Sequence, residues 1–96
     1  MAEGITVVLP GVLQPLAGGQ PVLTAPDAGP CTVGKLLDIV TEGYPVLGRR
    51  LRDETGALRR YVNLYVNGDE VRRLRGLDTP VGPGQEVLII QSVAGG

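Results

Sequence analysis

Four groups of residues in this 96-residue chain have types and spacing that could do chemistry. The first is the ending, "QSVAGG" (91–96), where two glycines follow an apolar run. Glycine has no Cβ, so Gly95 and Gly96 would fit a channel too narrow for ordinary side chains and adopt backbone angles that other residues resist. The second is Cys31, just before a helix start. A helix N-terminus lowers a thiol's pKa, which would make Cys31 reactive; the plainer role is a small apolar residue packed at the helix entry. No nearby base supports a nucleophile there. The third is Tyr61, Asn63 and Tyr65, at alternate positions of one segment. Tyrosines on an exposed sheet face make good docking anchors, with ordinary cross-strand pairing as the alternative. The fourth is the set of arginines at 49, 50, 52, 59, 60, 72, 73 and 75.

Several chemistries are argued against by composition. There is no His, which removes the commonest general base and metal ligand. The single Cys rules out an internal disulfide and any multi-cysteine metal site. We therefore expect no metal, no bound cofactor and no catalytic activity of the chain's own. Net charge is −1, so the total attracts neither nucleic acid nor an anionic membrane. Asp53, Glu54, Asp69 and Glu70 interrupt the arginines, and no basic run is flanked by stacking aromatics. A solvated surface or an acidic partner accounts for them better than nucleic acid. "GPGQE" (82–86) precedes a strand rather than opening a helix, so it is no nucleotide loop. No apolar run approaches the roughly 20 residues of a membrane span. "MAEGITVVLPG" lacks the basic start and long apolar stretch of a secretory signal, so we expect a cytoplasmic protein.

The elements that must position these groups are readable in outline. "ITVVLP" (5–10) and "VLTA" (22–25) predict two strands joined through Gly18-Gly19 as a long-looped hairpin. Thr32 suits a helix N-cap. Val33, Leu36, Leu37, Val40 and Tyr44 form one apolar stripe, with Gly43 placed to end the helix and Pro45 to block its continuation. "PVLGRRL" (45–51) predicts a short helical turn opened by Pro45. In "LRRYVNLYV" (58–66), Leu58, Val62, Leu64 and Val66 alternate with Arg59, Tyr61, Asn63 and Tyr65, which predicts a strand with one buried and one wet face. Asn67-Gly68 signals a hairpin returning through "EVRRL" (70–74). A Gly/Pro-rich loop (75–85) leads to the last strand, "EVLIIQSV" (86–93). Its continuous run from Val87 to Ile90 predicts burial on both faces and a central place in the sheet. The order is β-β-α-β-β-β, an α+β domain with one helix stripe covering one sheet face.

That order, the "YVNLYVNGDEVR" block, the "GQEVLIIQSV" final strand and the ending "VAGG" together resemble the ubiquitin-like sulfur-carrier proteins of the ThiS/MoaD type. The resemblance spans nearly the whole chain and is strongest to the actinobacterial carriers that supply sulfur for cysteine, whose start is also similar to "VVLPGVLQPLAGGQ". It implies a β-grasp fold with a mixed four- to five-stranded sheet and one main helix. It implies a body over residues 1–92 and a tail over 93–96, in which Val93, Ala94, Gly95 and Gly96 enter a partner's active site. Four extended residues reach roughly 13 Å. A carboxylate is a poor electrophile, and the family's remedy is a mixed anhydride with AMP. An E1-like enzyme uses ATP to adenylate the terminal glycine, here Gly96, and sulfur then replaces one oxygen to give a thiocarboxylate. A partner synthase takes that sulfur for cysteine, thiamine, molybdopterin or a thio-sugar. In the cysteine branch a metal-dependent peptidase releases the product. The exposed sheet face, here Tyr61, Asn63 and Tyr65, is expected to dock the activating enzyme. Two other readings stand beside it: a ubiquitin-like modifier whose end forms isopeptide bonds, and a non-covalent β-grasp adaptor whose tail is incidental.

Overall fold

The computed structural model of the protein describes residues 4–26 and 29–92. Its chain order starts with β1 (Ile5–Val8), β2 (Val22–Ala25) and the short β3 (Cys31–Thr32), followed by helices α1 (Val33–Val40) and α2 (Pro45–Leu51). It then runs through β4 (Val62–Val66), β5 (Asp69–Glu70), the short β6 (Pro80–Val81) and β7 (Glu86–Gln91). Five strands form one sheet in the order β2-β1-β7-β4-β5, while β3 and β6 pair separately. β1 and β2 are antiparallel, β1 and β7 parallel, and β7 and β4 antiparallel. A mixed sheet with its last strand inserted at the centre, embraced on one side by helices, is the β-grasp arrangement. Among the described residues no helix is long and apolar enough to cross a membrane.

Local chemistry explains where the elements begin and turn. The Thr32 hydroxyl accepts from the Lys35 amide at 3.2 Å, capping α1 as expected. Val33, Leu36, Leu37 and Val40 are buried against the sheet. The helix ends sooner than the stripe suggested. Thr41 is its C-cap, and the buried Thr41 hydroxyl donates to the Leu37 carbonyl at 2.7 Å. Gly43 therefore lies in the following turn rather than terminating the helix, and Tyr44 packs on the core from beyond it. α2 starts on Pro45, where a missing N–H costs nothing, and buries Leu47 and Leu51. Asn67 (φ 53°) and Gly68 (φ 84°) both occupy the left-handed region, which joins β4 tightly to β5.

Three expectations need correction. The strand predicted from residue 58 begins only at Val62, because residues 59–61 turn: the Val62 amide donates back to the Arg59 carbonyl at 3.0 Å. The predicted strand 70–74 is reduced to Asp69–Glu70. Val71–Arg73 instead forms a 3-10 turn capped by the Glu70 carboxylate, and this turn buries Val71. β7 is central but buried on one face only. Val87 and Ile89 are sealed in the core, whereas Leu88 and Ile90 are 38% and 43% exposed. Both helices lie on the Val87/Ile89 side, so nothing among the described residues covers the other face.

Candidate functional site

β7 leads to the candidate working end, so what fixes β7 fixes the root of the tail. It is flanked by β1 and β4, and Val87 and Ile89 anchor it in the core. Ser92, the last described residue, donates its backbone N–H to the Tyr61 carbonyl at 2.8 Å. Its hydroxyl accepts from the Asn63 side-chain amide at 3.2 Å. Asn63 is itself held, because Arg72 Nη1 donates to its Oδ1 at 3.0 Å and to the Val62 carbonyl at 2.8 Å. Arg72 Nη2 donates to the Arg59 carbonyl at 2.8 Å, and Glu70 lies 3.8 Å from the same guanidinium. One arginine thus ties the β5 side of the sheet to the turn at 59–62 and, through Asn63, to Ser92. Sequence reading grouped Arg72 with the other arginines. A long-range carbonyl partner leaves no local signal. Val93, Ala94, Gly95 and Gly96 lie outside the described residues.

The uncovered sheet face carries a second feature. The registers Val8↔Val22, Val8↔Leu88, Tyr65↔Leu88 and Tyr65↔Glu70 place Val22, Val8, Leu88, Tyr65 and Glu70 in one row across all five strands. Ile90 sits one step along, opposite Asn63. Leu88, Ile90, Tyr65 and Gly84 line part of a shallow hollow of about 530 Å³ on this face. An apolar row on an open sheet face is the kind of surface that partners bury. Leu88 and Ile90 were missed as surface residues because an unbroken apolar run does not reveal which alternate positions are covered.

Tyr65 and Asn63 share this face as predicted, but Tyr61 does not join them. It sits in the turn before β4, packs on the core and lines a cleft with Val46, Arg49, Arg50 and Arg59. The alternation that put Tyr61 beside Tyr65 holds only within a continuous strand, and the strand has not yet begun there. Cys31 pairs with Val81 across β3 and β6 and packs partly buried against the core. Asp53 stands apart as an anion held by its own loop. Its Oδ1 accepts from the Thr55 hydroxyl at 2.5 Å and from the amides of Thr55 at 2.8 Å and Ala57 at 3.2 Å. The Thr55 hydroxyl bond is the main cause that holds its carboxyl below the usual 3.8. Among the described residues no cluster of three or more Cys, Asp or Glu side chains could hold a metal ion.

A mixed sheet in the order β2-β1-β7-β4-β5, with its last strand at the centre and both helices on one face, is the fold of the ubiquitin-like class. Within that class, this chain belongs to the ThiS family, which it matches over residues 7–96. It is 37% identical over 94 residues to the sulfur carrier protein CysO of Mycobacterium tuberculosis (strain H37Rv), covering 96% of this chain and 98% of that one. Its structure is similar to a chain in the crystal structure of the Amycolatopsis orientalis BexX/CysO complex. That likeness has a TM-score of 0.82 and 34% identity over 96% of this chain and 99% of the other. It is also similar to the small archaeal modifier protein 1 of Methanosarcina acetivorans, with a TM-score of 0.78 and 28% identity over 100% and 99% of the two chains.

Proposed function

We propose that this protein is a sulfur carrier whose Gly96 carboxylate is the cargo site. An E1-like enzyme joins that carboxylate to AMP from ATP, releasing pyrophosphate. A sulfur nucleophile then displaces AMP and leaves a thiocarboxylate. The chain supplies the carboxylate and the docking body, while its partners supply the catalysis. The observation that carries the reading is that the family match runs to residue 96 and so includes Gly95 and Gly96. The likeness to proteins named as sulfur carriers supports it. The body, residues 1–92, presents the tail, and Val93 to Gly96 thread into the partner's site. Tyr65, Leu88 and Ile90 on the open face dock the activating enzyme. The protein is taken to act in the cytoplasm, where the ATP for this activation is at hand. Cysteine synthesis is the first-choice destination of the sulfur, with a synthase as acceptor and a metal-dependent peptidase releasing the product. Intact-mass measurement after incubation with the adenylating enzyme, ATP and a sulfur donor tests the reading. The expected gain is that of one oxygen replaced by sulfur, and it disappears when Gly96 is deleted. A gain that survives the deletion refutes it.

The likeness to a protein named as a modifier favours a second reading, in which the activated end forms isopeptide bonds with lysines. Covalent ladders on cellular proteins that depend on Gly96 would support it. Thiocarboxylate without ladders would support the carrier.

A further inference from the structure

Beside the root of the tail lies a charged patch that the proposed function leaves unused. Residues 45–61 contain five arginines against Asp53 and Glu54, a net +3, which leaves −4 on the rest of a chain whose total is −1. The positive charge is therefore concentrated rather than spread. Arg52 is committed to Asp38, with Nη2 2.6 Å from the carboxylate. Arg49, Arg50 and Arg60 are exposed and make no ion pair among the described residues. Arg59 is half-buried, and its Nε donates to the Arg49 carbonyl at 2.6 Å, which fixes the turn against α2. Beside Arg49, Arg50 and Arg59 lies an apolar floor of Val46, 43% exposed, and Tyr61. With Arg49, Arg50 and Arg59 they line an open cleft of about 340 Å³. The Tyr61 carbonyl holds the Ser92 amide, so the cleft borders the place where the tail departs.

We propose that this patch is a second docking area that receives an acidic surface of the adenylating enzyme, beside the channel the tail enters. The inference rests on the carrier reading, since an enzyme that takes the tail must lie against its root. Guanidinium groups around an apolar floor match carboxylates set around an apolar side chain. A nucleic acid is the poorer fit, because Tyr61 is the patch's one aromatic ring and stacking platforms are otherwise absent from residues 45–61. The patch steers encounter and sets register, while the open face with Leu88 and Ile90 supplies the apolar contact.

The test is steady-state thiocarboxylate formation by the adenylating enzyme, followed by intact mass, with full-length wild type, R49E/R50E, R49K/R50K and the control K35E on α1. Charge reversal at 49/50 is expected to raise KM for the carrier about tenfold with kcat unchanged. R49K/R50K should recover much of the loss, and K35E should behave as wild type. Added salt should raise the wild-type KM and leave that of R49E/R50E nearly flat. Circular dichroism melts of the variants should match wild type, which separates docking from folding. An R49E/R50E KM equal to wild type overturns the proposal. So does wild-type binding of a single-stranded RNA oligonucleotide that R49E/R50E loses while its KM is unaffected. A wild type that acquires no sulfur at all refutes the carrier reading, and this inference with it.

Discussion

Asn63 donates its side-chain amide to the Ser92 hydroxyl at 3.2 Å, across the seam between β4 and the end of β7. The same residue accepts from Arg72 at 3.0 Å, so Ser92 is tied through Asn63 to an arginine 20 positions upstream. Replacing Arg72 by Ala strips partners from the carbonyls of Arg59 and Val62 as well as from Asn63. Urea denaturation should show a loss of about 1–3 kcal/mol, and Lys at this position should restore only part of it, lacking the two-pronged guanidinium. Asn63→Ala should accelerate hydrogen exchange at the Ser92 amide with a smaller change in global stability.

Leu88 and its neighbour Ile89 face opposite sides of β7, and their substitutions should separate recognition from folding. Leu88→Ser should shift stability by no more than about 1 kcal/mol yet raise KM for adenylation, because its side chain is on the open face. Ile89→Ala, which empties a sealed core position, should cost about 2–5 kcal/mol. Equal effects of the two on the melting temperature would contradict this division.

Thr32 caps α1 through a single hydrogen bond to the Lys35 amide. Thr32→Ala should destabilise the protein by about 1 kcal/mol, and Asp or Ser in its place should retain most of the wild-type stability.

Asp53 gives an acid-side signature. Its carboxylate is stabilised in the folded loop, chiefly by the Thr55 hydroxyl, so its folded pKa lies below the usual 3.8. A depressed carboxylate adds stability that is present above the unfolded value and lost as pH falls through the folded one. Carboxyl carbon NMR should report a titration midpoint below the ordinary Asp value. Thr55→Ala should move that midpoint upward, and an unmoved midpoint would refute the assigned cause.

What the sequence disclosed depended on how local the cause was. The Thr32 cap, the Pro45 start of α2 and the Asn67-Gly68 turn each rest on neighbours within a few residues, and each is present in the structure. The expected central place of β7 is present, although the burial on both faces that its unbroken apolar run suggested, and from which that place was argued, is not. The same run hid the exposure of Leu88 and Ile90, since a stretch without alternation cannot say which positions a helix will cover. The turn at 59–62 is held by Arg72 from the far side of a hairpin, so no pattern within 58–66 marked where the strand begins. For that reason the alternation within 58–66 does not extend to Tyr61, which packs on the core beside α2. The arginine cluster was visible as a count, but its arrangement around Val46 and Tyr61 needed the fold.

The pairing of β7 with β1 on one side and β4 on the other also has a mechanical consequence. Consider a partner that grips the chain beyond Ser92 and draws it along the axis of β7, which has β1 on one side and β4 on the other. Ladder hydrogen bonds run sideways between strands, so such a pull loads those on both sides of β7 in shear, together rather than one after another. The domain can then be held by its end, and drawn on, without being unzipped from that end.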